Sequence, residues 1–177
     1  MQKRFSSEQY SPAEDTFFLA DYIQKEKGQS VLDIGTGSGY LARVLSTNFS
    51  LVVATDIDFT SLKSQTKKFQ NLVCCNGADA IGAQFDLIVC NMPYLPSDEI
   101  TYRSIDGGQE GLEIPLAIIK SAKQCLKKGK KIIFLSSSLA NYHKLIEKIK
   151  NLGFTVQEVA RKKLFFEELI IIESKLN

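Results

Sequence analysis

The sequence predicts an α/β fold: a seven-stranded, mostly parallel sheet with helices on both faces and a C-terminal antiparallel hairpin. Apolar runs of strand length alternate with amphipathic stretches of helical spacing, which is typical of βαβ units. The last two apolar runs follow each other too closely for a parallel crossover, so they predict the hairpin. A length of 177 residues can bury one core without disulfides or metal. We therefore expect residues 1–177 to form a single domain.

The individual elements follow from the apolar pattern and from its glycines and prolines. A first helix is expected over residues 12–27, with Pro12 in its first turn and Gly28 at its end. Strands are predicted at 30–35, 51–56, 72–75, 85–91, 131–137, 154–160 and 164–172. Further helices are predicted at 39–47, 58–70, 112–126 and 139–151. Only residues 161–163 separate the last two runs, so we expect the hairpin to turn there.

One long segment, residues 92–111, has no predicted helix or strand. It contains two of the four prolines and three of the eleven glycines. A loop of this length inside a compact α/β domain is usually functional. We therefore expect it to take part in the site.

Composition narrows the functional classes. The chain has 22 Lys and Arg against 20 Asp and Glu, a formal charge of +2, so it lacks the basic field that drives sequence-independent nucleic-acid binding. No apolar run exceeds four residues, and neither a membrane span nor a secretion signal is predicted. The four cysteines form no C-x-x-C pair, and three of them lie in apolar runs, which favours reduced core thiols over disulfides or a metal site. We expect a cytoplasmic protein.

A glycine-rich segment, DIGTGSG at residues 33–39, follows the first predicted strand and opens the next helix. This position is the carboxyl end of a central strand, where doubly wound sheets bind ligands. Its G-x-G-x-G spacing differs from the G-x-G-x-x-G of dinucleotide sites and favours S-adenosylmethionine. We expect Asp33 to accept a hydrogen bond from the cofactor's ammonium group, directly or through water. The backbone of Gly35, Thr36 and Gly37 would lie against the ribose.

Two more acidic residues extend this predicted cofactor site. Asp56 ends the second strand, about 20 residues further on, where a ribose diol is held, and its neighbour Ile57 belongs to the same predicted set. Asp79 follows the third strand, where its carboxylate could accept a hydrogen bond from the adenine amino group. Plainer alternatives stay open: a tight turn for the glycine segment, helix capping near Asp58 for Asp56, and a surface turn for Asp79.

The fourth predicted strand ends in Asn91-Met92-Pro93-Tyr94, at the same sheet edge as the glycine segment. This loop resembles the Asn-Pro-Pro-Tyr loop of amino methyltransferases, which alkylate a planar nitrogen. Such a nitrogen is a poor nucleophile, so a site must hold it in line and accept hydrogen bonds from its protons. The Asn91 oxygen and a carbonyl of Met92 or Pro93 can accept them, and Tyr94 can stack on the planar group. We expect Asn91, Pro93 and Tyr94 to be catalytic, with Asn91 also near the cofactor, although Met92 departs from the family's first proline.

Two further segments narrow the resemblance. Residues 10–17, YSPAEDTF, resemble a Y-x-P-x-E-D-T-F signature, and residues 106–111, DGGQEG, resemble a D-G-G-x-x-G signature. Both are found in the eukaryotic and archaeal glutamine methyltransferases of class I translation release factors, the HemK-like group. The resemblance implies a Rossmann-like class I methyltransferase fold, S-adenosylmethionine as cofactor, and Thr16 near its methionine part. It also implies methyl transfer to the glutamine side-chain nitrogen (N5) of a Gly-Gly-Gln loop.

The resemblance further implies a partner, since eukaryotic members work with a small zinc-binding activator subunit. In the strand order usual for this fold, 3-2-1-4-5-7-6, residues 72–75 form an outer strand with no lysine, proline or charge. We expect the activator to add a strand there, although part of the same chain could cover this edge.

Two other functions stay open. The first is a methyltransferase acting on an exocyclic amine of RNA or DNA, or on another protein side chain, and the basic residues at 127–131 and 161–163 give it some support. A chain of this size leaves little surface for duplex DNA, so nucleic acid is not the expected substrate. The second is a non-catalytic Rossmann-like binding module, which Asn91 and Tyr94 argue against.

Overall fold

The computed structural model describes residues 12–65, 71–102 and 104–177. Its α-helices are α1 (Glu14–Ile23), α2 (Tyr40–Leu45), α3 (Phe59–Ser64), α4 (Glu113–Gln124) and α5 (Tyr142–Asn151). Its strands are β1 (Gly28–Ile34), β2 (Phe49–Asp56), β3 (Leu72–Cys74), β4 (Phe85–Cys90), β5 (Leu95–Pro96), β6 (Asp106–Gly108), β7 (Leu126–Ser137), β8 (Phe154–Lys163) and β9 (Glu168–Leu176). Tyr10 and Ser11 of the N-terminal signature, and the last part of the third predicted helix, lie outside the described residues.

Seven of these strands form one sheet in the order β3-β2-β1-β4-β7-β9-β8. Counted along the chain, this is the predicted order 3-2-1-4-5-7-6. Strands β1, β2, β3, β4 and β7 pair in parallel, and β9 pairs antiparallel with both β7 and β8. The fold class is therefore confirmed, including the C-terminal hairpin. The carboxyl ends of β1, β2 and β4 meet at one edge of the sheet.

The sheet divides the core into two apolar clusters. Alternate residues of the central strands face opposite sides, so Leu32 and Ile88 pack with α4 and α5. Val31 and Val89 pack with α1 and α2 on the other side. Because both faces are covered, the central strands are apolar at nearly every position. Among the described residues, no helix is long and apolar enough to cross a membrane.

Helix α1 is shorter than the predicted 12–27. Its N-cap residue, Ala13, is extended with φ −121° and ψ −169°, so Pro12 precedes the helix and is not in its first turn. The helix ends at Ile23 because the chain must turn before β1 begins at Gly28.

The predicted position of the hairpin turn is wrong. Residues 161–163 continue β8, and the turn spans 164–167, closed by the Leu164 amide donating to the Glu167 carbonyl at 2.8 Å. Strand β8 is at the edge of the sheet, where charged side chains remain solvated. Arg161 forms ion pairs there with Glu158 and Glu168.

The cysteines are all free, but not all of them are core residues as predicted. Cys90 and Cys125 are buried, Cys75 is half-buried and Cys74 is exposed. Cys74 lies on β3, the outermost strand of the sheet, and its position at the edge leaves it exposed.

Candidate active site

A cavity of about 620 Å³ opens at the edge where the parallel strands end. It lies between the glycine turn after β1, the end of β2, the segment after β4 and the start of α4. Its walls include nine of the predicted site residues: Thr16, Gly35, Thr36, Gly37, Asp56, Ile57, Asn91, Pro93 and Tyr94. Asp33 and Asp79 do not line it.

The glycine turn presents its backbone to the cavity. The amides of Gly35 and Thr36 both donate to the Thr55 carbonyl at 2.9 Å, which fixes the turn against the end of β2. Gly35 and Gly37 have φ of 71° and 50°, a left-handed conformation that favours glycine. A Cβ at either position would meet no atom within 4 Å. The missing side chains therefore leave room for a ligand beside the turn.

Asp56 links the end of β2 to the same turn. One carboxylate oxygen accepts from the Gly37 amide at 2.8 Å, and the other accepts from the Asp58 amide at 2.8 Å. Burial raises the pKa of Asp56, and these two hydrogen bonds oppose the shift. Each oxygen keeps a lone pair that can accept a further hydrogen bond. Asp58 itself caps α3, so the capping alternative applies to Asp58 and leaves Asp56 facing the cavity.

Asp33 lies behind the glycine turn and is fully buried. Neither of its carboxylate oxygens has a hydrogen-bond partner among the described residues. Burial raises the pKa of Asp33 to about 7; the neighbouring Thr36 hydroxyl lowers it in part, and the charge of Asp56 raises it further. Contact between Asp33 and a cofactor ammonium group stays a prediction, because the side chain does not line the cavity.

The buried carboxyl of Asp33 should make stability depend on pH. In the unfolded chain an aspartate titrates near pH ~3.9, whereas in the folded protein Asp33 titrates at about 7. Between these values the folded state holds a proton that the unfolded state has released, so the free energy of unfolding falls as pH rises. We expect Asp33→Asn to unfold at higher urea concentration than wild type at pH 8, with a smaller difference at pH 5. The control is Asp79→Asn, on the surface; equal pH slopes for Asp33→Asn and wild type would contradict the expectation.

Asn91 connects the Asn-Met-Pro-Tyr loop after β4 to the first turn of α1. Its side-chain nitrogen donates to the Asp15 carboxylate at 3.2 Å and to the Thr16 hydroxyl at 3.1 Å. Thr16, predicted to contact the cofactor, is buried and lies at the junction of α1, the loop and the cavity. Asp15 belongs to the N-terminal signature at residues 10–17, but it is not one of the predicted site residues.

The segment after Asn91 is ordered by a small two-stranded sheet. Strand β5 pairs with β6 in parallel, and one oxygen of the buried Asp106 carboxylate accepts from the amides of Thr101 and Tyr102, each at 2.7 Å. Met92, which replaces the family's first proline, is 2% exposed and packs into the core on the α4 side. The described residues of the long segment 92–111 are therefore structured, and several of them form a wall of the cavity.

The D-G-G-x-x-G segment packs against the backbone of Tyr94. A Cβ at Gly107 would lie 3.0 Å from two Tyr94 backbone atoms, and a Cβ at Gly111 would lie 2.2 Å from the Tyr94 carbonyl oxygen. Neither could be accommodated without moving the chain. These glycines therefore allow the close approach that sets the position of Tyr94.

Glu110, between these glycines, has a left-handed backbone with φ 56°. The Asn141 amide donates to its carbonyl at 3.0 Å. Its carboxylate accepts from the Asn141 side chain and from Lys144, both at 2.8 Å. The start of α5 therefore holds this unusual conformation in place.

The cavity also includes residues that the sequence analysis missed. Ile114 and Ile118, one turn apart on α4, line it together with Asn76 and Gly77 after β3. Asp79 lies nearby on the surface and its carboxylate accepts from Asn76 at 3.4 Å, so its contact with adenine stays a prediction. The i, i+4 spacing of the two isoleucines also suits an ordinary core helix, so it does not by itself indicate a binding site.

The strand order, the glycine turn and the Asn-x-Pro-Tyr loop at one sheet edge together define an α/β methyltransferase. The chain belongs to the methyltransferase small domain family, whose model matches residues 5–166. The expected activity class and the expected cofactor, S-adenosylmethionine, are thereby confirmed.

Individual relatives agree with the predicted resemblance to glutamine methyltransferases. A protein of Methanocaldococcus jannaschii named as a protein N5-glutamine methyltransferase is 33% identical over 94% of this chain and 91% of its own length. The catalytic subunit of the eRF1 methyltransferase of Schizosaccharomyces pombe is 24% identical over 92% of this chain and 87% of its own length. Among solved structures, the Mtq2–Trm112 complex of E. cuniculi, responsible for methylating the eRF1 translation termination factor, matches with a TM-score of 0.82. That match has 25% identity and covers 95% of this chain and 98% of that chain.

Proposed function

We propose that this chain, acting as one catalytic domain, methylates the side-chain nitrogen (N5) of a glutamine in a class I translation release factor, at its Gly-Gly-Gln loop. The observation that carries the proposal is the orientation of Asn91. Its nitrogen is engaged by acceptors on α1, so its oxygen is directed away from them at the wall of the cavity. A free amide oxygen beside a cofactor cavity is suited to an acceptor substrate that itself carries an N–H group.

The cavity residues fit S-adenosylmethionine. Open space beside Gly35 and Gly37 accommodates a ligand against the turn, and Asp56 has lone pairs available for a ribose diol. Ile114 and Ile118 supply apolar surface for the adenine, while Thr16 is placed for the methionine part. When bound, the cofactor supplies a methyl group already activated by the positive charge on sulfur.

The chain's own contribution is to hold the target nitrogen. A glutamine amide nitrogen is delocalised into its carbonyl, so it must be positioned in line with the methyl group and its protons must be bound. Asn91 Oδ1 and a carbonyl of Met92 or Pro93 can accept the two N–H groups, and the Tyr94 ring can stack on the amide plane. The C–N bond forms as the methyl–sulfur bond breaks, and the nitrogen then releases one proton to water. The mechanism requires no side chain that titrates near neutral pH.

The distribution of charge favours a protein loop over RNA as the substrate. The lysines near the start of β7 lie at the opposite edge of the sheet from the cavity, and most are paired: Lys127 and Lys130 with Asp86, and Lys131 with Glu26 and Glu173. In the second basic group, Arg161 pairs with Glu158 and Glu168, and Lys162 pairs with Glu14. Phosphate binding needs a field of cations near the site, and the charge of each of these paired residues is offset by a neighbouring carboxylate.

A methyl-transfer assay tests the proposed substrate. The chain, with its partner if one is required, is incubated with cofactor labelled in the methyl group and with a class I release factor. We expect the label in one tryptic peptide, on the glutamine of the Gly-Gly-Gln loop. A release factor carrying alanine in place of that glutamine is the matched control and should remain unlabelled. Label in added RNA, or at another side chain, would overturn the assignment.

We also propose that a small subunit pairs with the outer strand β3, as a partner subunit is present in the E. cuniculi complex. The Ala54 amide donates to the Asn71 carbonyl, and the Cys75 amide donates to the Asp56 carbonyl, both at 3.0 Å. Since backbone groups of alternate residues face opposite sides of a strand, those of Leu72 and Cys74 face outward. They offer a second polypeptide a short ladder of donors and acceptors. Zinc binding by that subunit stays a prediction.

A proline in β3 should prevent this pairing. Cys74→Pro removes the outward N–H, and proline is tolerated at an edge strand because the inward ladder is unaffected. We expect Cys74→Pro to lose co-purification with the small subunit, whereas Cys74→Ser, which keeps the N–H, retains it. Circular dichroism and cofactor binding check that both variants are folded. A Cys74→Pro chain that still co-purifies would place the partner elsewhere.

A further inference from the structure

We propose that Asp15 is a positioning residue for methyl transfer: it fixes the orientation of the Asn91 amide so that Oδ1 faces the acceptor substrate. The inference rests on the proposed function, because it concerns how the site holds a target amide. It assigns a role to the second acidic residue of the N-terminal signature, Asp15, which the fold alone does not explain.

Hydrogen-bond chemistry around Asn91 allows only one orientation of its amide. An ionised carboxylate is an acceptor with no proton to donate, so the Asp15 oxygen 3.2 Å from Asn91 requires an N–H opposite it. If the amide were flipped, two oxygens would face each other at that distance.

Thr16 supports the same orientation. Its hydroxyl donates to the second oxygen of Asp15 at 3.4 Å, and its amide donates to that oxygen at 2.6 Å. The hydroxyl has one proton, so with that proton directed to Asp15 its lone pairs accept from Asn91 at 3.1 Å. Asp15 therefore acts on Asn91 both directly and through Thr16, and both amide protons of Asn91 have an acceptor.

Helix geometry alone does not account for this arrangement. An acidic residue in a first turn is often explained by the helix dipole, and Glu14 precedes Asp15 in the same turn. Glu14, however, has a 65% exposed side chain and pairs with Lys162 on the surface, whereas Asp15 lines the cavity. The two acidic residues are neighbours in sequence with different surroundings, which makes Glu14 a matched control.

A double-mutant cycle tests the role of Asp15. Asp15→Asn keeps the size of the side chain but introduces an N–H donor that can bind a flipped Asn91. We expect kcat to fall ~10- to 100-fold, as misplacement at a reacting group does, with cofactor affinity and melting temperature near wild type. In an Asn91→Ala background the same change should lower kcat less than about twofold, because coupled residues are not additive. Glu14→Gln should leave kcat unchanged in both backgrounds.

Two readouts separate failure of this inference from failure of the proposed function. If the wild-type protein does not methylate the release factor, the proposed function fails. The contact between Asp15 and Asn91 is then still measured by NMR, from the side-chain ¹⁵N–¹H signals of Asn91, which are identified by their loss in Asn91→Ala. We expect Asp15→Asn, but not Glu14→Gln, to shift these signals. Insensitive Asn91 signals, or an equal loss of kcat with and without Asn91, would overturn the role of Asp15.

Discussion

Asn91→Ala is expected to lower kcat for methyl transfer by ~10²- to 10³-fold, as removal of a preorganised group at a reacting centre does. The side chain is half-buried at the cavity wall, with its nitrogen held by Asp15 and Thr16. Alanine removes the oxygen that we propose accepts a hydrogen bond from the target amide, but it leaves the glycine turn and Asp56 intact. Cofactor affinity should therefore stay close to wild type.

Single-turnover kinetics and calorimetric titration with the cofactor measure these two quantities separately. Asn48→Ala is the control, because Asn48 makes one side-chain hydrogen bond, to the Gln24 carbonyl, away from the cavity. Its kcat should match wild type. Robust methylation by Asn91→Ala would show that the loop is an ordinary turn after β4.

Gly111→Ala is expected to reduce methyl transfer strongly and to destabilise the fold. The added Cβ would lie 2.2 Å from the Tyr94 carbonyl oxygen, and the residue has φ +69°, so the backbone must move. Forcing an extra methyl group into packed structure typically costs about 1–3 kcal/mol, and the displaced residue here is Tyr94, which we propose stacks on the substrate amide. We expect kcat to fall at least ~10-fold, the scale of effect that displaced positioning groups produce.

Gly129→Ala separates the effect of the clash with Tyr94 from the effect of backbone strain at a positive φ. Gly129 has φ +74°, and a Cβ there would meet no atom within 4 Å, so alanine introduces backbone strain of ~1 kcal/mol without a clash. Its melting temperature should fall slightly and its kcat should not change. If Gly111→Ala behaves like Gly129→Ala in both measurements, the close approach to Tyr94 has no role in catalysis.

The sheet order, the glycine turn and the loop that begins at Asn91 could be predicted because a short sequence pattern indicates each of them. Apolar runs alternating with helical spacing predict parallel strands, and the glycine turn and Asn91 each follow such a run directly. Their meeting at one edge then follows from the topology. By contrast, the sequence predicts the hairpin turn too early because the charged residues 161–163 interrupt the apolar runs, and the ion pairs of Arg161 with Glu158 and Glu168 are seen only in the structure.

Contacts between distant segments account for what the sequence did not predict. Asp15 and Asn91 are separated by 76 residues, and no pattern within either segment indicates that the first orients the second. The D-G-G-x-x-G segment was recognised only as a resemblance, because its glycines are required by their distance from Tyr94 and not by their own turn. Asn76, which lines the cavity, has no motif that marks it in the sequence, whereas the charge of the nearby Asp79 made Asp79 the predicted residue.

The left-handed Glu110 has a consequence for how this protein can change during evolution. Glu110 lies outside the cavity and directly before Gly111, the glycine that packs against Tyr94. Its backbone conformation is held by its contacts with Asn141 and Lys144. Selection for activity therefore extends to the exposed beginning of α5, where sequence drift would otherwise be free. A relative with glycine in place of Glu110 would not need those contacts, so its residues at positions 141 and 144 would be free to vary.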